Sequence, residues 1–475
     1  MMLMSKKMSW VAGVLVCAQV FVPVCAEEAS GVFEEKPSVA ILENSLQETA
    51  IEDLSADKIR INLEQAIKIA LSDNPIIIVA GQEIELKKES EKEALYSLLP
   101  SADIAGTYQN AIKKQKMALG MGEEVMEIEM GRTNTLNASL AVSLPIYAPA
   151  LYQSIKMTKT DIELAVEKSR ASKLDMINQV TKAYYQLLLT QDSYDVLQKS
   201  FAQAEANFNV VNEMYKLGSV SEYDKIRADV QVRSLRPNVV SARNGVDLAK
   251  LQLKVLLGLD KDTEIEIEGN LKDYESDMSD RSAIAGSLSL ANNSDLKQLD
   301  LNSDMLKHNL KLQEANFKPT IGAQYSYSYM TMNDNYKFFK YDWIPYSSVA
   351  LSVSIPLFKA SNFPKMRKAK IQMAQLRETR VNAERMLYMQ ISAYLNSMSA
   401  SSEQLISNKE GVLQAEKGRL IAQKRYEVGK GTILELNDSE VALTQTQLVY
   451  NQSIYDYIIA KADMEKVLGN SAHGE

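Results

Sequence analysis

From 347 to 355 the chain alternates. Val349, Leu351, Val353 and Ile355 fall on one face of an extended segment, and Ser348, Ala350, Ser352 and Ser354 fall on the other. The same period runs through 136–144, with Leu136, Ala138, Leu140, Val142 and Leu144 against Asn137, Ser139, Ala141 and Ser143. It recurs over 321–329, where Ile321, Ala323, Tyr325, Tyr327 and Tyr329 oppose Gly322, Gln324, Ser326 and Ser328. A weaker copy at 102–108 sets Ala102, Ile104, Gly106 and Tyr108 against Asp103, Ala105 and Thr107. Four strands are predicted, at about 101–110, 135–146, 319–330 and 346–357. A soluble half-buried sheet gives the same alternation. Here, however, the polar face is serine-rich and almost uncharged, and the strands have the roughly nine to eleven residues that cross a bilayer at a tilt. Tyr325, Tyr327, Tyr329, Tyr341, Trp343 and Tyr346 also gather around the second pair, as interfacial aromatics do. Membrane strands are the expectation. Four of them leave open edges, which lipid does not tolerate, so the barrel must be shared: eight strands from two chains or twelve from three.

Between these strands the period lengthens to that of helices. A first helix is predicted over about 63–99, with Asn62 as its N-cap. A run from about 151 to 216 has no internal proline and would span on the order of 100 Å as one helix. Gly218 ends it, and a return helix follows to Leu257, interrupted at Arg236-Pro237 where a kink is expected. A second long run covers about 364–428, with a return from Ile433 to Leu468. That return carries two seven-residue lines: Leu436, Leu443, Tyr450, Tyr457 and Met464, and Leu434, Val441, Leu448, Tyr455 and Ala462. Sustained heptads predict side-by-side helix packing.

The chain is written twice. "LAVSLPIY" at 140–147 matches "LSVSIPLF" at 351–358, and Leu257-Gly258 matches Leu468-Gly469 at the same offset of 211. Upstream, Leu71-Ser72-Asp73-Asn74 matches Leu290-Ala291-Asn292-Asn293 at an offset of 219, so eight extra residues fall between Pro100 and Leu140, in an exposed loop. Two structural repeats are expected, at 61–258 and 285–469, joined by 259–284. Before them lie a targeting segment (1–26) and an acidic segment (27–60); a short tail (470–475) follows. Lys6 and Lys7, the apolar run Ser9–Val24 and the small residues Val24-Cys25-Ala26 predict a cleavable signal peptide and export. A lipid on Cys25 or Cys17 is the less favoured alternative.

Composition narrows the chemistry. The net charge of −8 argues against a nucleic-acid partner. Both cysteines, Cys17 and Cys25, fall in the targeting segment, and only His308 and His473 supply imidazoles. No catalytic residue, metal site or cofactor is predicted, and the chain is not expected to be an enzyme.

The order of elements, their duplication and the segment "RYEVGKGTILELNDSEVALTQTQL" (425–448), with its more divergent counterpart "MYKLGSVSEYDKIRADVQ" (214–231), resemble the TolC-like outer-membrane factor family over nearly all of the mature chain. The resemblance implies a homotrimer. Twelve strands would form one outer-membrane barrel, continued through the periplasm by a long α-helical barrel. It implies a passive duct of a tripartite efflux or type I secretion system, taking substrates from an inner-membrane transporter through a periplasmic adaptor. A periplasmic coiled-coil adaptor or scaffold is the alternative. By resemblance, the adaptor contact and periplasmic tip lie at Leu217, Gly218, Ser219 and Val220 and at Val428, Gly429, Lys430 and Gly431. The gate or constriction falls at Asp224, Tyr426, Glu435 and Asp438. An arginine that some members carry in the second turn is Gly431 here. Pro145 and Pro356 are the expected strand–helix junctions.

Overall fold

The structure, a computed structural model, describes residues 59–121, 124–260, 262–275, 289–337 and 341–470. The proposed targeting segment, the acidic segment up to residue 58 and the tail beyond 470 lie outside these residues. The contacts divide the chain after Ile59, and the elements of both repeats belong to the unit that begins at Arg60.

The described chain opens with the short strand β1 (Ile59–Ile61), and the first repeat continues with α1 (Leu63–Asp73) and α2 (Pro75–Tyr96). One helix was expected from the sequence, and the break at Asn74 is a correction with a local cause. Proline disfavours helical backbone in the residue before it, and Asn74 is extended (φ −70°, ψ 126°) with its side chain capping Ile76 N–H. Strands β2 (Ser101–Asn110) and β5 (Asn134–Tyr147) follow, with a separate hairpin between them, β3 (Gln115–Met121) and β4 (Glu124–Met130). Helix α3 (Pro149–Lys216) has 68 residues and α4 (Glu222–Leu257) returns. α4 runs continuously through Pro237, so the expected interruption is not seen. After β6 (Ile265–Ile267), the second repeat comprises α5 (Ser294–Ala315), β7 (Thr320–Asn333), β8 (Ile344–Ser354), the 66-residue α6 (Asn362–Glu427) and α7 (Ile433–Leu468). α3 packs on α2, α4, α5 and α7, and α6 on α5 and α7. No described helix is long and apolar enough to cross a membrane.

The four long strands form one antiparallel sheet in the order β2-β5-β7-β8, so the β5–β7 pair joins the two repeats. Its register aligns the alternation of all four. Ile104 lies opposite Leu140, Leu140 opposite Tyr327, Val142 opposite Tyr325, and Ala323 opposite Leu351. The serine-rich positions meet one another in the same way, with Ser139 opposite Ser328 and Ser326 opposite Ser348. One face is therefore apolar over most of its length, turning polar at the loop end with Ser347, Thr331, Asn110 and Asn134, and Ile104, Val349 and Leu351 on it remain 80%, 80% and 68% exposed. Pro145 sits inside β5 opposite Gly322, beside a bulge that brings Tyr147 opposite Ile321. Pro356 lies beyond the end of β8, in the extended link to α6. A proline lacks the N–H a ladder needs and is tolerated at a bulge or past a strand end.

At the loop end of the sheet the two repeats are tied together. Asp334 accepts from Lys114 (2.8 Å), Arg132 (2.7 Å) and Thr133 N–H (2.9 Å), and these partners hold its carboxyl well below the usual carboxylate range. Midway along the long helices, the main core gathers Tyr184, Leu187 and Leu188 of α3, Leu253 and Leu257 of α4, and Ile454 of α7. Tyr184 is fully buried and donates to Glu268 O (2.7 Å), and burial pushes its hydroxyl pKa up. Of the two heptad lines on α7, Leu436, Tyr450, Tyr457 and Met464 of the first are buried within the chain. The second is open only at its start, with Val441 51% and Leu434 39% exposed, whereas Leu448, Tyr455 and Ala462 are half-buried and Tyr455 packs on the main core. On α6, Ile406, Leu413 and Leu420 form another exposed line at seven-residue spacing.

Candidate functional site

The two turns that reverse the long helices are built alike. α3 passes through Leu217 into Gly218 at φ 74°, where Gly218 N–H donates to Tyr215 O (2.9 Å) and Ser219 N–H to Met214 O (2.9 Å). α6 passes through Val428 into Gly429 at φ 71°, where Gly429 N–H donates to Tyr426 O (3.0 Å) and Lys430 N–H to Arg425 O (2.8 Å). Both are Schellman closures, which need a left-handed residue after the last helical turn. No atom lies within 4 Å of where either glycine's Cβ would stand, so backbone conformation alone selects glycine there.

The return helices are capped by hydroxyls. Ser221 Oγ accepts from Asp224 N–H (3.2 Å), and Asp224 Oδ2 accepts in return from Ser221 N–H (3.2 Å) and from its Oγ–H (2.8 Å), a reciprocal capping box. Thr432 accepts from Glu435 N–H (3.2 Å). Asp224 thus serves its own helix start. The Glu435 carboxylate reaches across the turn to Arg425 (3.4 Å), whose guanidinium also donates to Lys430 O (3.2 Å). Arg425 was not singled out in the sequence because it belongs to the preceding helix and approaches Glu435 only through the reversal. Gly431 leaves room for this crossing, since a Cβ there would stand 3.1 Å from Arg425 Cβ and from Tyr426 N.

The turns also pack on each other. Val211 of α3, Ala228 of α4 and Ile433 and Leu436 of α7 form a small buried cluster, flanked by Phe208, Val220, Ala422 and Tyr426. Tyr426 and Asp224 are brought close enough for the carboxylate charge, after burial, to raise the tyrosine pKa. The Tyr426 hydroxyl is buried and has no hydrogen-bond partner among the described residues. An unpaired buried donor costs about 1–3 kcal/mol, which favours any rearrangement that supplies an acceptor. Leu217 and Val428 project at the apex, 81% and 65% exposed, among exposed Gly218, Ser219, Gly429 and Lys430. Asp438 is exposed and has no ion pair or side-chain hydrogen bond among the described residues.

A second duplicated joint lies at the far end of the return helices. Asn74 caps Ile76 N–H with Oδ1 and donates Nδ2–H to Leu256 O (2.8 Å), the last turn of α4. Asn293 caps Leu296 N–H and donates to Val467 O (2.7 Å), the last turn of α7. Gly258 and Gly469, both left-handed, close those helices against the backbone of Asp73 and Asn292. The sequence matches at Asn74/Asn293 and Gly258/Gly469 are the two sides of one contact. Their meeting could have been inferred only by asking why both pairs repeat.

Known proteins share this architecture. The family described as outer membrane efflux protein matches residues 66–259 and 285–470, one block for each repeat. The outer membrane protein TolC of Vibrio cholerae is 19% identical over 86% of this chain and 90% of its own length. Among solved structures, CusC matches with TM-score 0.71 at 15% identity, over 89% of this chain and 96% of that one. The Campylobacter jejuni CmeC outer membrane channel matches with TM-score 0.69 at 16% identity, over 87% of each chain. With both repeats matched, and with a membrane-compatible sheet continued by paired long helices, the chain is a member of the outer membrane efflux protein family.

Proposed function

We propose that three copies of this chain form an outer-membrane duct, fed by an inner-membrane transporter through a periplasmic adaptor that docks at the paired helix turns. The observation that carries the reading is the sheet. One face is largely apolar and exposed, the other is serine-rich, and strands β2 and β8 have no partner on their outer edges among the described residues. Such edges cannot face lipid unpaired, and three copies supply twelve strands that close on one another. The uncovered line Ile406, Leu413 and Leu420 of α6, with Leu434 and Val441 at the start of α7, supports the same packing in the helical part, where each chain offers apolar side chains to the next. A coiled-coil adaptor or scaffold has no use for a sheet with an exposed apolar face.

In this assembly Leu217, Gly218, Ser219 and Val220 and Val428, Gly429, Lys430 and Gly431 make the adaptor-facing tip. Tyr426 and Asp224 form the contact that holds it shut, and Glu435 and Asp438 line the constriction. Glu435 is ion-paired with Arg425 and Asp438 is not, so Asp438 carries most of the cation affinity. Three carboxylates are lost at once in Asp438→Ala, each worth about 1 kcal/mol to a charge at 4 Å in water. The half-blocking concentration of a trivalent cation on single-channel current is therefore expected to rise roughly tenfold or more. Glu435→Ala should raise it less, and Asp438→Ala with Glu435→Ala should raise it most. Unchanged block in the double variant would mean that both carboxylates merely solvate the start of α7. The first 26 residues serve as the export signal in this account, and the transporter selects the substrate.

A further inference from the structure

The serine-rich face of the sheet changes character along its length. At the helix end it carries Ser143, Gly322 and Ser352, and at mid-height Ser139, Ser326 and Ser348. Toward the loop end the same face carries Met330, Met332, Ile344 and Tyr346. The register fixes this placement: Met330 lies opposite Asn137 on one side and Ile344 on the other, and Tyr346 lies opposite Ser328. The four remain 37%, 43%, 64% and 62% exposed, so they do not belong to a core within the chain. Nor do they face lipid with the tyrosine group, because Tyr325, Tyr327 and Tyr329 occupy the alternate positions on β7. Their neighbours at the same height on β2 and β5 are Thr107, Gln109, Thr135 and Asn137, all uncharged.

We propose that these four side chains, contributed by each copy, form an apolar collar at the outer end of the lumen, a binding site for the alkyl or aryl part of a passing amphiphile. The proposal rests on the three-copy duct reading above. A water-filled passage gains nothing from apolar lining unless something apolar contacts it, since exposed apolar surface is unfavourable in water. Thioethers suit the task because methionine is flexible and polarisable and adapts to ligands of different shape. Charge enters only loopward of it, at Asp342 and at Asp334 with its partners Lys114 and Arg132, so the collar itself sorts solutes by apolar content, in contrast to the acidic residues at the helix turns.

The test uses the full-length protein in a planar bilayer, with tetraalkylammonium ions added on the loop side as probes. Each methylene buried adds hydrophobic transfer free energy, so blocking affinity should rise at least about tenfold from tetraethyl- to tetrahexylammonium. Met330→Ser with Met332→Ser should lower tetrahexylammonium affinity about fivefold or more and leave tetraethylammonium block unchanged, because only apolar contact is removed. Met330→Leu with Met332→Leu should retain the block, which separates loss of the collar from loss of assembly. Tyr327→Ser, at an alternate position, should not change it. The collar is refuted by block that ignores chain length, by block unaltered in the double serine variant, or by an equal loss in Tyr327→Ser. Absence of any single-channel current from the unmodified protein would instead overturn the duct reading itself.

Discussion

Leu351→Arg is expected to prevent assembly in the outer membrane, whereas Ser352→Arg is expected to be tolerated. The two residues are adjacent on β8 and differ only in the face they occupy. Leu351 is opposite Ala323 on the apolar face and is 68% exposed in the isolated chain. Ser352 is opposite Gly322 on the serine-rich face. An arginine facing lipid costs about 2–4 kcal/mol at the bilayer midplane, and a threefold barrel would bear that cost three times. On the lumen face the same guanidinium stays hydrated. The readout is the amount of oligomer in the outer-membrane fraction, which should fall at least tenfold for Leu351→Arg and change little for Ser352→Arg. Equal losses would mean that the faces are assigned wrongly.

The second large effect is expected at Gly469. Its left-handed backbone (φ 72°) is unfavourable for any residue with a Cβ, at roughly 1–2 kcal/mol. In addition, a Cβ there would fall 2.1 Å from Asn292 O and 2.6 Å from Asn292 C, which are backbone atoms that cannot rotate away. Gly469→Ala must therefore push α7 off the Asn293 joint and weaken the Asn293 Nδ2–H to Val467 O bond. Gly429→Ala has the same backbone angle but no atom within 4 Å, so it should show the conformational cost alone. Gly258→Ala falls between them, since its nearest contact is Asp73 O at 3.0 Å. Thermal unfolding in detergent should rank the variants with Gly469→Ala least stable, then Gly258→Ala, then Gly429→Ala. A Gly469→Ala protein as stable as Gly429→Ala would show that the joint yields easily.

The fold was legible because two local signals carry most of it. Alternation over Val349–Val353 and over Tyr325–Tyr329 marks strands whatever they pair with. Duplication shows that each half must build the same set of elements. What the sequence left open depends on chain reversals and on partners distant in sequence. Asn74 was read only as part of a repeat match, although Pro75 beside it signals a helix start. The hairpin Gln115–Met130 carries the same alternation, with Met117 opposite Ile128 and Leu119 opposite Met126, but it falls in the insertion that the repeat offset marks only as a loop. At the tip, the glycines were readable from local chemistry. Arg425 was not, because nothing in the spacing from Arg425 to Glu435 reveals that a turn folds one back on the other. The unpaired Tyr426 hydroxyl could be found only from packing.

The central claim is that three chains share one barrel, and the most direct measurement is the native mass of the protein extracted from the outer-membrane fraction. The account predicts a complex of three times the mass of the mature chain, with no stable monomer. A monomer, or a protein recovered in the soluble periplasmic fraction, would contradict it.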